Sequence, residues 1–237
     1  MILIVVAYNK QKRKDMKILK TNEDLQRDVQ NAIKWEPLLS AAEIGVTAKD
    51  GVIRLTGIVD SYSKKIEAES AAKKVGGVKA VVEEITIKFA DSWDQSDADI
   101  AKEALIALKL NYMIPVDKVK VENARITLYG DLSWDYQRKA AKNAVNHLRG
   151  VEGVTNDIKI TSEIHSEIEK NDIESALACN WSLRNHNIKV EVSGHKIKLS
   201  GTVQALYQRD EAEKIAWNTP GAWAVDNEVF VDYPENY

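Results

Sequence analysis

The chain has 237 residues, with 33 basic and 36 acidic side chains and a formal net charge of −3. Hydrophobic residues make up 44% of it and charged residues 29%, which is typical of a globular protein and excludes intrinsic disorder as its overall state. Because acidic and basic residues nearly balance, we expect no nucleic-acid partner. The single Cys179 excludes an internal disulfide and a thiolate metal cluster.

The first 20 residues form a basic extension. An apolar run, Met1 to Ala7, precedes Lys10, Lys12, Arg13 and Lys14, whereas a secretory signal places its basic residues first. Seven apolar residues are also too few to cross a bilayer. The extension is interpreted as disordered or as the product of an early start before Met16, with a membrane-surface anchor as the alternative. The sequence therefore predicts a cytoplasmic location, with a periplasmic or membrane-peripheral location as the alternative.

The first structural unit is predicted over residues 21–89. Apolar residues three and four positions apart indicate a helix that begins near Asn22 and stops before Pro37. Residues 44–57 alternate about the turn dipeptide Asp50-Gly51 and predict a β-hairpin. A second amphipathic helix follows over 61–75, and alternation over 81–89 predicts a third strand.

This pattern recurs twice along the chain. If Gly57, Gly130 and Gly201 are aligned, isoleucine lies four residues before each glycine and leucine two before, while alanine lies 11 after and a second glycine, Gly77, Gly150 or Gly221, lies 20 after. Agreement at so many fixed offsets indicates tandem repeats. The sequence predicts an α+β fold of three small modules at 21–89, 96–160 and 169–231. Each module is helix-strand-strand-helix-strand, with two helices packed on a three-stranded mixed sheet.

The second and third units repeat the plan with different turns. Val119 and Val121 are predicted to pair with Ile126 and Leu128, and in the third unit Val190 and Val192 with Ile197 and Leu199. The hairpin turns fall at Asn123-Ala124 and Gly194-His195, where each pair contains a residue that tolerates positive φ. We predict that all three sequences make the same turn.

The repeated motif resembles the BON domain, a bacterial module. The resemblance rests on an aliphatic alternation into a glycine, an alanine-bearing helix, and then glycine, a valine four residues later and an asparagine. The second unit carries Gly130, Gly150, Val154 and Asn156, and the third carries Gly201, Gly221, Val225 and Asn227. The first unit has Glu83 in place of the asparagine, and the third has Ala222 where valine follows the second glycine.

The resemblance implies an α+β fold, no enzymatic activity, and a role in attaching proteins to phospholipid or cell-envelope surfaces under osmotic or other stress. It also implies similarity to osmotically inducible periplasmic proteins.

No catalytic constellation is visible in the sequence. The four histidines have no metal-ligand spacing, so neither a metal site nor a cofactor is predicted. The repeated glycines, Gly57, Gly77, Gly130, Gly150, Gly201 and Gly221, are interpreted as structural, because they occupy strand ends and helix ends where the backbone needs their freedom. Asn156 and Asn227 are interpreted as side chains that bond local backbone at a strand entry.

Tryptophans carry the functional hypothesis. Trp35 and Trp181, near the ends of the first helices, are interpreted as core residues. Trp134 and Tyr136 begin a second helix that continues with cations, and Trp217 and Trp223 flank Pro220-Gly221. An aromatic group beside cations suits a lipid headgroup layer, whereas the alternative is packing between modules. The candidate membrane- or ligand-binding residues are Trp134, Tyr136, Arg138, Lys139, Lys142, Trp217 and Trp223.

Two functions follow from these observations. The first is a non-catalytic protein that binds anionic phospholipid or another envelope component. The second is a stress-related, chaperone-like scaffold that binds proteins and has no lipid affinity. The sequence leaves the ligand, the arrangement of the modules and the oligomeric state open.

Overall fold

A computed structural model describes residues 20–89, 95–111, 118–161 and 168–232. Except for Lys20, the predicted N-terminal extension lies outside the described residues. Three units follow one another along the chain, and each packs two helices on a small sheet. The predicted α+β class and the module plan are confirmed.

The first unit consists of five elements: α1 (Asn22–Lys34), β1 (Ile44–Lys49), β2 (Val52–Val59), α2 (Tyr62–Lys73) and β3 (Ala80–Ile87). The strand β2 lies in the centre of the sheet, antiparallel to β1 and parallel to β3. A parallel pair needs a crossover connection, and α2 supplies it. Both helices therefore cover one face of the sheet.

The other two units have the same topology. The second contains α3 (Asp97–Leu110), β4 (Lys118–Glu122), β5 (Arg125–Tyr129), β6 (Asp131–Leu132), α4 (Asp135–Asn146), β7 (Gly153–Asn156) and β8 (Lys159–Ile160). The third contains α5 (Lys170–Cys179), β9 (Ile188–Ser193), β10 (Lys196–Val203), α6 (Leu206–Trp217) and β11 (Ala224–Val231). The predicted strand pairs of both hairpins are confirmed. In the second unit the long strands are interrupted, so that β6 and β8 form a separate parallel pair.

The hairpin turns differ between the units. Asp50 and Gly51 both have positive φ, as do Asn123 and Ala124, whereas only Gly194 does so in the third turn. The prediction of one common turn is therefore wrong, because glycine in the first position permits a different two-residue geometry. Ala124 is held in its unfavourable conformation by Asp97, whose carboxylate accepts bonds from the backbone N–H groups of both turn residues at 2.9 Å.

Gly57 and Gly201, which lie two residues after the leucine of the middle strand, are in close contact with the chain beside that strand. Gly57 has φ of 141° and Gly201 of 133°. A Cβ atom at these positions would meet the carbonyl oxygens of Glu43 and Asn187 at 2.0 and 2.3 Å. The structural interpretation of these residues rests on both strain and contact.

The interior of the protein forms two hydrophobic clusters. The alanines 11 residues after the strand-end glycines, Ala68, Ala141 and Ala212, are fully buried beneath the sheets. One cluster is continuous between the first and third units, and the other fills the second unit and takes in Trp217 from the third. The first and third units therefore share a core.

The prediction that Trp35 and Trp181 belong to the core is wrong. Their side chains are 84% and 81% exposed. Trp35 has the three-residue spacing from Ala32 on which the prediction rested, but it lies two residues after the buried Ile33, about 200° around the helix axis, and so faces away from the sheet. The helix α5 ends at Cys179, before the apolar spacing reaches Trp181, and Leu183 is buried instead.

Candidate functional site

The second helices of the three units, α2, α4 and α6, meet in the middle of the molecule. At the contact between the first two units, the hydroxyl of Ser63 donates to the backbone oxygen of Asn146 at 3.2 Å, and its Oγ lies 2.9 Å from Nδ1 of His147. Tyr62 also packs against the cluster of the second unit. The start of α2 thus contacts the end of α4.

The second and third units meet through a cation and an aromatic ring. The guanidinium carbon of Arg138 lies 4.5 Å from the ring centroid of Trp217, within the range of a cation–π contact. Asp135, which is 1% exposed, pairs with Arg138 and lies 2.7 Å from the ammonium of Lys139. The buried carboxylate orients the guanidinium, and the start of α4 contacts the end of α6.

A backbone bond joins the third unit to the first. The N–H of Gly77, just beyond α2, donates to the carbonyl oxygen of Gln204, just before α6, at 2.8 Å. The start of one second helix therefore meets the end of the next in the order first, second, third and first again. The contacts close a head-to-tail triangle with approximate three-fold character. We call the region where α2, α4 and α6 meet the three-helix junction.

The seven predicted binding residues divide between surface and interior. Tyr136, Lys139, Lys142 and Trp223 are exposed, and Trp134 is half-buried with its ring centroid 6.3 Å from that of Tyr136. Trp223 stacks on His195 at a centroid distance of 4.2 Å. Trp217 is buried between units and holds Arg138. Arg138 and Trp217 thus meet in a packing contact between units, whereas Trp223 packs on His195 instead.

A groove runs along the three-helix junction and draws residues from all three units. Its volume is about 440 Å³. We call it the junction groove, and its lining comprises Tyr62, Ile66, Glu69, Ser70, Lys73, Lys74, Lys142, Tyr207, Asp210 and Glu211. Of these, Lys142 alone was a candidate from the sequence, because the others lie along α2 and α6 in two different units and have no common motif.

Asp210 has a perturbed environment in this groove. Burial raises the pKa of its carboxyl above the ordinary value, and the nearby ammonium of Lys73 lowers it only in part. The carboxylate of Glu213 raises it further. Asp210 is nevertheless exposed at the opening of the groove, so its carboxylate is accessible to a ligand.

A second feature missed from the sequence is a set of exposed apolar side chains where the first helices end. Trp35 and Trp181 follow α1 and α5, and Leu110, which is 80% exposed, is the last residue of α3. We call these three the helix-end residues. Leu38 and Ile106 add exposed apolar surface beside two of them. Nothing in the amphipathic pattern distinguished the tryptophans from core residues, since the spacing fitted both.

The asparagines of the repeated motif tie a strand to a helix. In the third unit, the side chain of Asn227 donates to the carbonyl oxygen of Arg209 at 3.0 Å and accepts from the N–H of Val229 at 3.2 Å. Asn156 makes the equivalent pair of bonds in the second unit. Glu83, which replaces asparagine in the first unit, instead pairs with Lys65 at 2.8 Å. In the first unit an ion pair therefore joins the helix α2 to the strand β3, where the other units use hydrogen bonds of asparagine.

The part of the chain that the structure describes has neither a candidate metal cluster nor a helix that could span a membrane. In that part, no group of three or more His, Cys, Asp or Glu side chains is placed to hold a metal ion. No helix there combines the length and the apolar character needed to cross a membrane.

Comparison with known proteins gives a family match over most of the chain. The BON domain model matches residues 21–88, 96–162 and 160–232. Osmotically-inducible protein Y of Escherichia coli strain K12 is 29% identical over 125 residues, which are 47% of this chain and 59% of that protein. The chain therefore matches less than two thirds of that relative's length.

Solved structures show only a weak likeness. CdsD, a structural protein of the type III secretion system of Chlamydia trachomatis, is 18% identical with a TM-score of 0.24, and covers 90% of this chain and 94% of its own. The PrgH periplasmic domain is 6% identical with a TM-score of 0.19, and covers 81% of this chain and 95% of its own. Neither likeness supports a conclusion about this chain.

Proposed function

The chain belongs to the BON domain family, and we propose that it is a non-catalytic protein that attaches to phospholipid at the cell envelope during osmotic or related stress. The stress and envelope context is supported by the family and by the similarity to an osmotically inducible relative. The exposure of the three helix-end residues is the observation that carries lipid attachment.

Transfer of a large apolar side chain from water to a lipid surface is favourable, and the gain is greatest when most of the side chain is exposed in the free protein. Trp35, Leu110 and Trp181 are exposed to this degree. The proposal requires that all three side chains contact one membrane surface together. Tryptophan rings favour the headgroup layer, where they are partly desolvated while their N–H remains hydrogen-bonded.

Cations on α4 fit the same proposal. Tyr136 and Lys139 remain exposed beside the half-buried Trp134, and Lys142 lies one turn further along the helix. Each cation near an anionic membrane contributes about 1 kcal/mol to binding. We propose that these residues add electrostatic attraction to the apolar contact, whereas Arg138 and Trp217 contribute through packing between units.

The test is sedimentation with vesicles of phosphatidylcholine and phosphatidylglycerol. Trp35→Ala combined with Trp181→Ala is expected to weaken binding by at least about tenfold, since burying one such side chain is worth about 1.5 to 3 kcal/mol. Phe230→Ala is the matched control, because Phe230 is exposed on the outer face of the third sheet. Equal sedimentation of wild type and the double variant would refute the proposal.

A second candidate, a chaperone-like scaffold, draws on the outer faces of the sheets. Val52, Ile58, Val82 and Phe230 are exposed there, and apolar side chains on an open sheet face suit contact with unfolded protein. Suppression of client aggregation by a protein that does not sediment with vesicles would favour this function over lipid attachment.

A further inference from the structure

The junction groove has the properties of a small-ligand site, and lipid attachment through the helix-end residues does not use it. All three units contribute to its lining, so the groove exists only when the head-to-tail triangle is closed. Its volume of about 440 Å³ lies within the usual range for small-molecule sites.

Most charges around the groove are already neutralised. Lys73 pairs with Glu69 at 2.9 Å, and Lys74 with Glu36 at 3.1 Å. Glu211 pairs with Lys214 at 3.1 Å. These pairs leave little net charge along the walls of the groove.

Among the described residues, two lining charges have no ion-pair partner within 4.0 Å, although the ammonium of Lys73 is close enough to lower the pKa of Asp210 in part. Within the residues that the structure describes, Lys142 and Asp210 make no ion pair within 4.0 Å and no hydrogen bond. Lys142 comes from the second unit and Asp210 from the third, so the groove presents one ammonium and one carboxylate on different walls. A ligand that carries both signs of charge would complement both groups.

The remaining lining suits the cationic end of such a ligand. Tyr62 and Tyr207 supply phenol rings, and Ile66 supplies apolar surface. Aromatic rings attract ammonium groups through their π faces, and the attraction grows when water is excluded. Burial raises the pKa of the Asp210 carboxyl, and the ammonium of Lys73 opposes this rise only in part, so the ammonium group of a ligand would stabilise the carboxylate.

We propose that the junction groove binds a small zwitterion, whose ammonium group is held by Asp210 and the two tyrosines and whose phosphate or carboxylate group is held by Lys142. Phosphoethanolamine has this chemistry, both as a free molecule and as a lipid headgroup. The proposal does not depend on the helix-end residues, and Lys142 is the one residue that it shares with the lipid attachment proposed above.

Calorimetric titration of the full chain with phosphoethanolamine tests the proposal, with ethanolamine and inorganic phosphate as single-charge probes. Wild type is expected to bind phosphoethanolamine at least about tenfold more tightly than either probe, because only the zwitterion engages both charges. Lys142→Gln and Asp210→Asn are each expected to weaken binding by about tenfold. Lys189→Gln and Asp226→Asn, both on the outer face of the third sheet, are the matched charge controls.

A charge-conserving variant and thermal unfolding of each variant distinguish loss of the binding site from loss of folding. Lys142→Arg keeps the positive charge and is expected to retain binding, and thermal unfolding of each variant without ligand shows whether it is folded. Competition by vesicles containing phosphatidylethanolamine identifies the headgroup as the source, whereas binding of free phosphoethanolamine without such competition identifies a soluble ligand. Absence of binding to wild type, or equal binding by wild type and the folded Lys142→Gln and Asp210→Asn variants, would overturn the proposal.

Discussion

Glycine, which has no side chain beyond a hydrogen atom, allows the middle strand of two sheets to lie close to the chain that enters the first strand. Gly57 and Gly201 adopt positive φ while paired opposite Ile44 and Ile188. An L-residue with a Cβ would suffer backbone strain at this φ, and its Cβ would overlap a carbonyl oxygen that belongs to the strand entry and cannot easily move. The recurrence of glycine here is therefore explained by packing.

At this scale we predict that Gly201→Ala lowers the free energy of unfolding by about 2 to 4 kcal/mol, from φ strain together with displacement of the Asn187 carbonyl. Urea denaturation measures this change. Gly76→Ala is the control, since a Cβ there meets only one neighbouring atom, at 3.8 Å. Similar stabilities of the two variants would contradict the explanation.

Among the secondary-structure elements, an asparagine on the strand that follows the second helix ties that strand to the helix in the second and third units. Asn156 and Asn227 each bond a helix carbonyl and a strand N–H. Both asparagine side chains are partly buried, and a partly buried polar group without a partner is costly. The Glu83–Lys65 pair shows that the tie can be made with different chemistry.

We predict that Asn227→Ala destabilises the protein by about 1 to 3 kcal/mol, because it removes the side-chain bonds to the Arg209 carbonyl, the Glu213 carboxylate and the Val229 N–H. The free energy of unfolding in urea is the measurement. Asp226→Ala changes the neighbouring exposed residue and is expected to have little effect. A loss no larger for Asn227→Ala than for Asp226→Ala would show that the tie is unimportant.

The whole molecule contains two cooperative blocks rather than three. The first and third units share one hydrophobic cluster, whereas the second unit has its own, which Trp217 joins to the third unit and Tyr62 to the first. Units with a common core unfold together, and a unit attached through a small contact can unfold alone. The number of thermal unfolding transitions therefore depends on the contact between Trp217 and the second unit.

We predict that Trp217→Ala separates the unfolding of the second unit from that of the other two. Calorimetry of the variant is expected to show two thermal transitions, whereas those of wild type lie closer together in temperature. Removal of a buried tryptophan of this size costs about 3 to 5 kcal/mol, and here the loss falls on the contact between blocks. Trp35→Ala, at an exposed tryptophan, is expected to leave the shape of the transition unchanged. A single transition in the Trp217→Ala variant would rule out the two-block description.

The sequence alone determined the repeat, the order of helices and strands, and the strand pairing, because periodicity and turn residues act over short distances along the chain. Its predictions failed where an apolar residue lay at the end of a helix. Trp35 and Trp181 have the spacing of a buried face, but the position where a helix stops decides whether the last apolar residue turns towards the sheet.

Only the tertiary structure decided how the units are arranged and which residues meet at the three-helix junction. Ser63 with His147, Arg138 with Trp217 and Gln204 with Gly77 have no common sequence signature, because each contact joins different residue types from separate repeats. The same holds for Lys142 and Asp210, which share a groove although 68 residues apart by number. Local pattern specifies a module, whereas contacts between modules depend on surfaces that form only after each module has folded.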